Sequence, residues 1–316
     1  IYHLLAILSD RMAVYSRELS CDYLVALTFH QQVLEIYQQI YKGENHLDIA
    51  KSLNNVGIVY KELGQYEEAL KYSIQALEMV QSLYAGNHPE VANFLNYLGR
   101  VYYESEQPQE ALKHYQKALE MVQSLYSGNH PEVANSLHGI GTAYHDLGQF
   151  KESLKYFQQA LAMRQALYTG NHPLTANSIA CLGNVYLRLG QYEEALKHHE
   201  AALKMKQSMY TYNHTYVAQS LNQLGLIYMK LGQYEEALKH YKQSLEMYQT
   251  LHSGNHPNIA ISLDNIGLVY QALDQSQGAL KYHHQALEML QAVYSYNNPY
   301  TAHCLNSLGA AYKNLG

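Results

Sequence analysis

Apolar and polar positions follow one pattern that returns every 42 residues. In the stretch Glu132 to Asp146, Val133, Leu137, Ile140 and Tyr144 fall at spacings of four, three and four, the single apolar stripe of an amphipathic helix. This is helix A of the unit. Leu147-Gly148-Gln149-Phe150 breaks the stripe, with Gly148 suited to the left-handed backbone that ends a helix. The run Glu152 to Leu167 then places Leu154, Phe157, Leu161 and Leu167 beside small Ser153 and Ala160, which predicts a second helix, B. No segment reads as a strand.

The junction between B and the next A keeps the same period: Tyr84-Ala-Gly-Asn-His-Pro89, Tyr126-Ser-Gly-Asn-His-Pro131 and Tyr168-Thr-Gly-Asn-His-Pro173, with His256-Pro257 a later copy. Weaker copies stand at Asn45-His46, Asn213-His214 and Asn297-Asn298-Pro299. A fixed period of this size predicts a repeat array whose core is continuous between neighbouring units. In the junction, Gly170 suits the position just past helix B, Pro173 suits the first turn of A, and the N-cap is either Asn171 or His172. Glycines inside helix A, such as Gly57, Gly99, Gly141, Gly183, Gly225 and Gly267, each cost roughly 1 kcal/mol against alanine. Close approach to the small residues of helix B (Ala69, Ala111, Ser153, Ala195, Ala237, Ala279) is the expected compensation. Glu67, Glu193 and Glu235 open their B helices four residues before Lys71, Lys197 and Lys239, an order that predicts exposed ion pairs.

Leu221-x-x-Leu224-Gly225-x-x-Tyr228, then Leu231-Gly232-x-Tyr234, Ala237 and Tyr241, resembles the tetratricopeptide repeat. The period of 42 and the His-Pro junction are similar to the longer subtype found in kinesin light chains. This resemblance implies an all-α, right-handed solenoid of antiparallel helix pairs, with the A helices lining a concave wall. It divides the chain into residues 1–44 as a degenerate first repeat or cap, 45–298 as six tandem units, and 299–316 as helix A of a further repeat. Two turns depart from the pattern: Ser105-Glu-Gln-Pro108 and Asp274-Gln-Ser276 lack the glycine and the aromatic, so looser units are expected there.

Composition narrows the function classes. The chain carries 21 basic and 27 acidic residues, formally −6, with no block of like charge, which argues against nucleic acid and anionic membrane as partners. The apolar run Leu4 to Leu8 is too short to span a bilayer and lacks the basic lead of a secretory signal. Cys21, Cys181 and Cys304 are odd in number and lack metal-ligand spacing, as reduced thiols in a cytoplasmic protein would be. Starting at Ile1 and stopping at Gly316 inside a repeat, the chain reads as a piece of a longer protein.

Candidate chemistry lies on the A helices. The resemblance places Lys51, Asn54, Asn93, Asn96, Arg100, Asn135, His138, Asn177, Asn184, Arg188, Gln219 and Asn222 on the concave wall, with Asp264 and Asn306 continuing the rows. Polar residues at solvent-facing positions need no function. Asparagine is nevertheless a middling helix former, where Glu, Lys, Gln or Arg would serve solubility better. A primary amide offers donors and an acceptor together, so a ladder of amides can pair with the backbone of an extended peptide. The expected function is therefore a protein-interaction scaffold that holds a peptide or partner helix in the concave groove. Light-chain arrays bind short cargo peptides, but the carboxylate clamp of chaperone-binding relatives needs a lysine where this chain has Asn54, Asn96, His138 or Ala180. The junction histidines read as structural and adjacent pairs such as His198-His199 point apart, so no metal is expected. No nucleophile, acid–base pair or phosphate loop stands in an activating motif, so neither catalysis nor a cofactor is expected. Two other functions fit the pattern: a sensory or regulatory arm of a larger enzyme or signalling protein, and a module that self-associates through its terminal helix.

Overall fold

The computed structural model describes residues 2–18, 22–210, 213–294 and 298–314; Cys21 and Asn297 lie outside them. Among the described residues every regular element is an α-helix, and the chain divides into two compact units, 1–167 and 168–316. Unit 1 contains α1 (Tyr2–Glu18), α2 (Tyr23–Ile40), α3 (Leu47–Glu62), α4 (Tyr66–Leu83), α5 (Pro89–Glu104), α6 (Pro108–Leu125), α7 (Pro131–Asp146) and α8 (Phe150–Leu167). Unit 2 contains α9 (Pro173–Arg188), α10 (Tyr192–Met209), α11 (Thr215–Lys230), α12 (Tyr234–Leu251), α13 (Pro257–Ala272), α14 (Ser276–Val293) and α15 (Pro299–Lys313). Within each unit, consecutive helices pair as antiparallel hairpins, and each hairpin packs on the next. From α3 onward the odd-numbered elements are A helices and the even-numbered ones are B helices. No described helix is long and apolar enough to cross a membrane.

The predicted stripes form the core. Val56 of α3, Val80 of α4 and Leu98 of α5 belong to one buried cluster, so a B helix shares its apolar face with its own A helix and with the A helix that follows. Leu263 of α13, Leu290 of α14 and Cys304 of α15 do the same in unit 2. Burying such side chains stabilises the fold by about 1.5–3 kcal/mol each.

At the junctions, histidine rather than asparagine is the cap. Nδ1 of His46, His88, His130, His172, His214 and His256 accepts a hydrogen bond from the backbone N–H two residues on, at 3.2 Å in every case. The ring four or five residues earlier, a tyrosine except for His252 before His256, explains the choice. Tyr84 stacks on His88 and Tyr126 on His130, each with centroids 3.5 Å apart, and this holds the imidazole in its capping rotamer. The freed asparagine reaches the end of the next B helix: Asn45 donates to Ser82, Asn87 to Ser124 and Asn171 to Ser208.

Glycine in helix A is explained by a different neighbour from the one expected. A Cβ on Gly141 would lie 2.8 Å from the Phe157 ring, on Gly225 2.6 Å from Tyr241, and on Gly267 2.6 Å from His283. The residue 16 positions on, usually a ring, presses against the glycine, and the small residue at Ser153 or Ala237 lets helix B come close enough to seat it. The ion pairs also shift register: Lys71, Lys113, Lys197 and Lys239 bond to the glutamate three residues earlier, at 2.6–3.1 Å, rather than four. Both atypical turns keep the standard backbone path, with Glu106 (φ 60°) and Asp274 (φ 56°) taking the left-handed conformation that Gly64 (φ 72°) and Gly148 (φ 71°) take elsewhere. The turn after α2 likewise takes a left-handed backbone, with Lys42 and Gly43 at φ 49° and 78°.

Candidate peptide-binding groove

On unit 1, the A helices α5 and α7 bound a cavity of about 490 Å³. Asn93, Asn96 and Arg100 come from α5 and Asn135 and His138 from α7, so five of the expected site residues meet there. Helical spacing explains the gathering: positions three and four apart share a face, and the repeat sets the two faces side by side.

The floor of this cavity is Arg164 of α8, only 3 % exposed. Its Nη2 donates to Asn135 Oδ1 at 3.3 Å, and its Nη1 lies 3.4 Å from His138 Nδ1. An arginine has no acceptor, so His138 must present a lone pair at Nδ1 and carry its proton on Nε2. Burial, reinforced by the Arg164 charge, pushes the His138 pKa down to about 3. The group is neutral at physiological pH. Above it, the Arg100 guanidinium lies over the Tyr97 ring at 5.1 Å and within 3.9 Å of Glu104. Glu104 also pairs with Lys61, which is held at 2.8 Å from Glu62. The cavity thus offers amide donors and acceptors, a buried cation at its floor, and carboxylates of Glu104 and Glu132 along its wall.

Arg164 was not singled out in the sequence. The available signal is the column it occupies, which holds Val80, Val122, Tyr248 and Leu290 in other units. A charge there breaks the apolar pattern, and Lys206 breaks it again in unit 2. Burial holds the Lys206 pKa below its ordinary value, and its Nζ donates to Ser220 Oγ at 2.8 Å.

The other expected residues sit outside this cavity. Lys51 reaches Glu90 at 3.1 Å, an ion pair between neighbouring A helices, and Asn54 is half-buried beside it. In unit 2, Asn177, Arg188 and Gln219 are exposed, and Asn184 and Asn222 are half-buried. Part of the asparagine row is a joint between hairpins: Ser136 Oγ donates to Asn96 Oδ1 at 3.0 Å, and Asn222 Nδ2 donates to Ser262 Oγ at 3.2 Å. Asp264 departs from expectation altogether. It is 7 % exposed and accepts from His283 and His303, because those two imidazoles draw the carboxylate inward. A larger depression of about 590 Å³ lies between α4 and α6, lined by Leu77, Leu95, Leu98 and Met121, with the exposed charges of Glu78, Lys117 and Glu120 at its edge. Its amides are Gln81 and Asn87, and the Asn87 amide is committed to Ser124.

Tandem helix hairpins that share their cores define a helical-repeat protein. The tetratricopeptide repeat profile matches residues 4–81, 48–124, 90–166, 132–208, 216–292 and 264–316, and the chain belongs to that family. No curated protein matches the sequence. Among solved structures it is similar to the kinesin light chain protein of Podosopora anserina with nearly identical TPR-like repeats, at 24 % identity, covering 66 % of this chain and 99 % of that one, with a TM-score of 0.58. It is also similar to BtubC (BKLC) from P. vanneervenii, at 19 % identity, covering 74 % and 94 %, with a TM-score of 0.63. A third is the signal transduction ATPase with a tetratricopeptide repeat sensor from Pyrococcus horikoshii, at 18 % identity, covering 98 % of this chain and 45 % of that one, with a TM-score of 0.69. At these identities the likeness shows the fold. The family is one of protein-interaction scaffolds, typically without catalytic activity.

Proposed function

We propose that this protein is an interaction scaffold whose α5–α7 groove holds an extended peptide segment. The observation that carries the reading is the convergence of Asn93, Asn96, Arg100, Asn135 and His138 on one cavity floored by Arg164. The amides would pair with the peptide backbone, while Arg164 and Arg100 would favour a carboxylate on the ligand, since a charge-assisted bond to arginine is about twice as strong as a neutral one. In unit 2, Asn177, Asn184, Arg188, Gln219 and Asn222 would offer a second peptide-binding face of the same chemistry. Cytoplasmic partners suit this reading.

A random-peptide array probed with the chain tests it. Asn93→Ala and Arg100→Ala are at solvent-accessible positions and leave the Arg164 contacts in place, so the paired variant is expected to keep its thermal midpoint and lose at least tenfold in affinity for selected peptides. Unchanged affinity in that variant would move the binding surface elsewhere.

A second reading is favoured by the Pyrococcus horikoshii likeness, in which a repeat array is the sensor of a larger signalling ATPase. There the groove would report occupancy to an effector domain. The discriminating observation is whether the natural polypeptide carries such a domain in addition to these repeats.

A further inference from the structure

The joint between α13, α14 and α15 differs from every other joint in the array. Asp264 Oδ1 accepts from His283 Nδ1 at 2.6 Å, and Asp264 Oδ2 accepts from His303 Nδ1 at 3.0 Å. Cys304 Sγ donates to the His283 carbonyl at 3.2 Å. The ligand atoms of Asp264, His283 and Cys304 all lie within 4.8 Å of one another, and all three residues are buried. His303 stands at the rim beside these three, bonded to Asp264 Oδ2 alone, with its side chain 63 % exposed.

The repeats supply the comparison. The positions equivalent to Asp264 and Cys304 are Asn96 and Ser136 in one joint and Asn222 and Ser262 in another, where a neutral hydrogen bond links the hairpins. At the α13–α15 joint both members of that pair become ionisable ligands, and histidine stands at both remaining positions. No other set of equivalent positions carries more than one Asp, His or Cys. Three departures at one joint, Asp264, His303 and Cys304, meeting a histidine, His283, whose column also carries His199, are what a ligand set requires and a hydrogen bond does not.

We propose that Asp264, His283 and Cys304, joined by His303 turning in from the rim as the fourth ligand, form a site for a zinc-class divalent cation, which staples α15 to the α13–α14 hairpin. Two imidazoles, one carboxylate and one thiolate suit a borderline-soft ion in tetrahedral geometry. The charges close: a divalent cation, the Asp264 carboxylate and the Cys304 thiolate sum to zero with two neutral imidazoles, so the buried site holds no net charge. Ligation through Nδ1 moves each imidazole proton to Nε2, and the thiol proton leaves to solvent. The exposed His303 gives the ion its way in. This site lies in unit 2 and stands independently of the groove on unit 1.

The test uses the full chain with cobalt(II) and zinc(II) as probes. The control is the double variant Asp264→Asn with Cys304→Ser, which rebuilds the Asn–Ser pair of the other joints and so is expected to fold, as its helical circular dichroism would show. The wild type is expected to take up one zinc beyond whatever the double variant takes up. Its cobalt form is expected to show tetrahedral absorption with a thiolate-to-cobalt charge-transfer band that vanishes in Cys304→Ser. At a hundredfold excess over its dissociation constant, zinc should raise the thermal midpoint of the wild type by about 5 °C or more and leave the double variant unmoved. Equal zinc uptake by both chains, or a wild-type cobalt spectrum without the sulfur band, would reduce the cluster to a hydrogen-bonded joint and end the proposal.

Discussion

Tyr126 lies flat on His130, ring centroids 3.5 Å apart and planes within 6°, while His130 Nδ1 caps α7 by accepting from the Glu132 N–H. The stack and the cap are one device. Stacking fixes the imidazole plane, and only in that plane does the Nδ1 lone pair face the orphan N–H. His130→Ala removes both and is expected to cost about 1–2 kcal/mol in urea unfolding of unit 1. His130→Asn should recover the part due to the cap, because Asn298 already caps α15 by accepting from the Tyr300 N–H at 2.8 Å. Equal losses in the two variants would show that stacking alone matters.

This junction also marks how far the sequence could be read. The A and B helices follow from spacing alone, since Val133, Leu137, Ile140 and Tyr144 can share a face only on a helix. Whether Asn171 or His172 caps α9 could not be settled, because both offer an acceptor; the answer lies in the stack with Tyr168, which spacing along the chain does not reveal. Five groove residues were legible as an outward row, because Asn93 and Asn135 repeat at the period. Arg164 was not, because it belongs to a B helix whose column is otherwise apolar. The Asp264 cluster was hidden for a related reason: its members stand 19, 39 and 40 residues from Asp264 and meet only when three helices stack.

The glycines of helix A divide into two kinds, and alanine should tell them apart. On Gly139 a Cβ would fall 2.5 Å from the Tyr115 ring, and on Gly225 2.6 Å from the Tyr241 ring. Either substitution is expected to destabilise by about 1–3 kcal/mol through overpacking. Gly309 occupies the Gly225 column on α15, with nothing within 4 Å of the added carbon among the described residues. Gly309→Ala should stabilise by about 1 kcal/mol through helix propensity. Thermal midpoints of the three variants check the contrast, and a destabilising Gly309→Ala would contradict it.

Glu106 holds a left-handed backbone, φ 60°, in the turn from α5 to α6, where Gly64, Gly148, Gly190 and Gly232 stand in four other hairpins. A side chain in that conformation costs about 1 kcal/mol or somewhat more, partly offset by the greater freedom that glycine has in the unfolded chain. Glu106→Gly is therefore expected to stabilise unit 1 by about 0.5–1 kcal/mol in chemical denaturation. Asp274→Gly should gain less, since aspartate tolerates this conformation better than glutamate does. A loss on Glu106→Gly would place a stabilising contact on the glutamate side chain that outweighs its backbone strain.

Acid should loosen the groove before it unfolds the rest of unit 1. His138 titrates near 3 in the folded chain because of burial and the Arg164 charge, against 6.5 when free. Between those values the unfolded chain binds a proton that the folded chain refuses, so stability rises with pH through this window. The contribution is fully present above about pH 6.5 and is lost as the pH falls toward 3, reaching a loss of about 2–3 kcal/mol by about pH 4.5. His199 in unit 2, lowered to about 4 by burial and then by Lys206 and His198, adds a loss of the same sign. His138→Asn places in α7 the residue that Asn96 and Asn222 occupy in their own hairpins, keeps an acceptor for Arg164, and removes the titration. Its unfolding free energy should therefore vary less between pH 7 and 4.5 than that of the wild type, with the two chains closest in stability at neutral pH. Parallel pH profiles would show that His138 is solvated in solution and that the Arg164 floor is open to water.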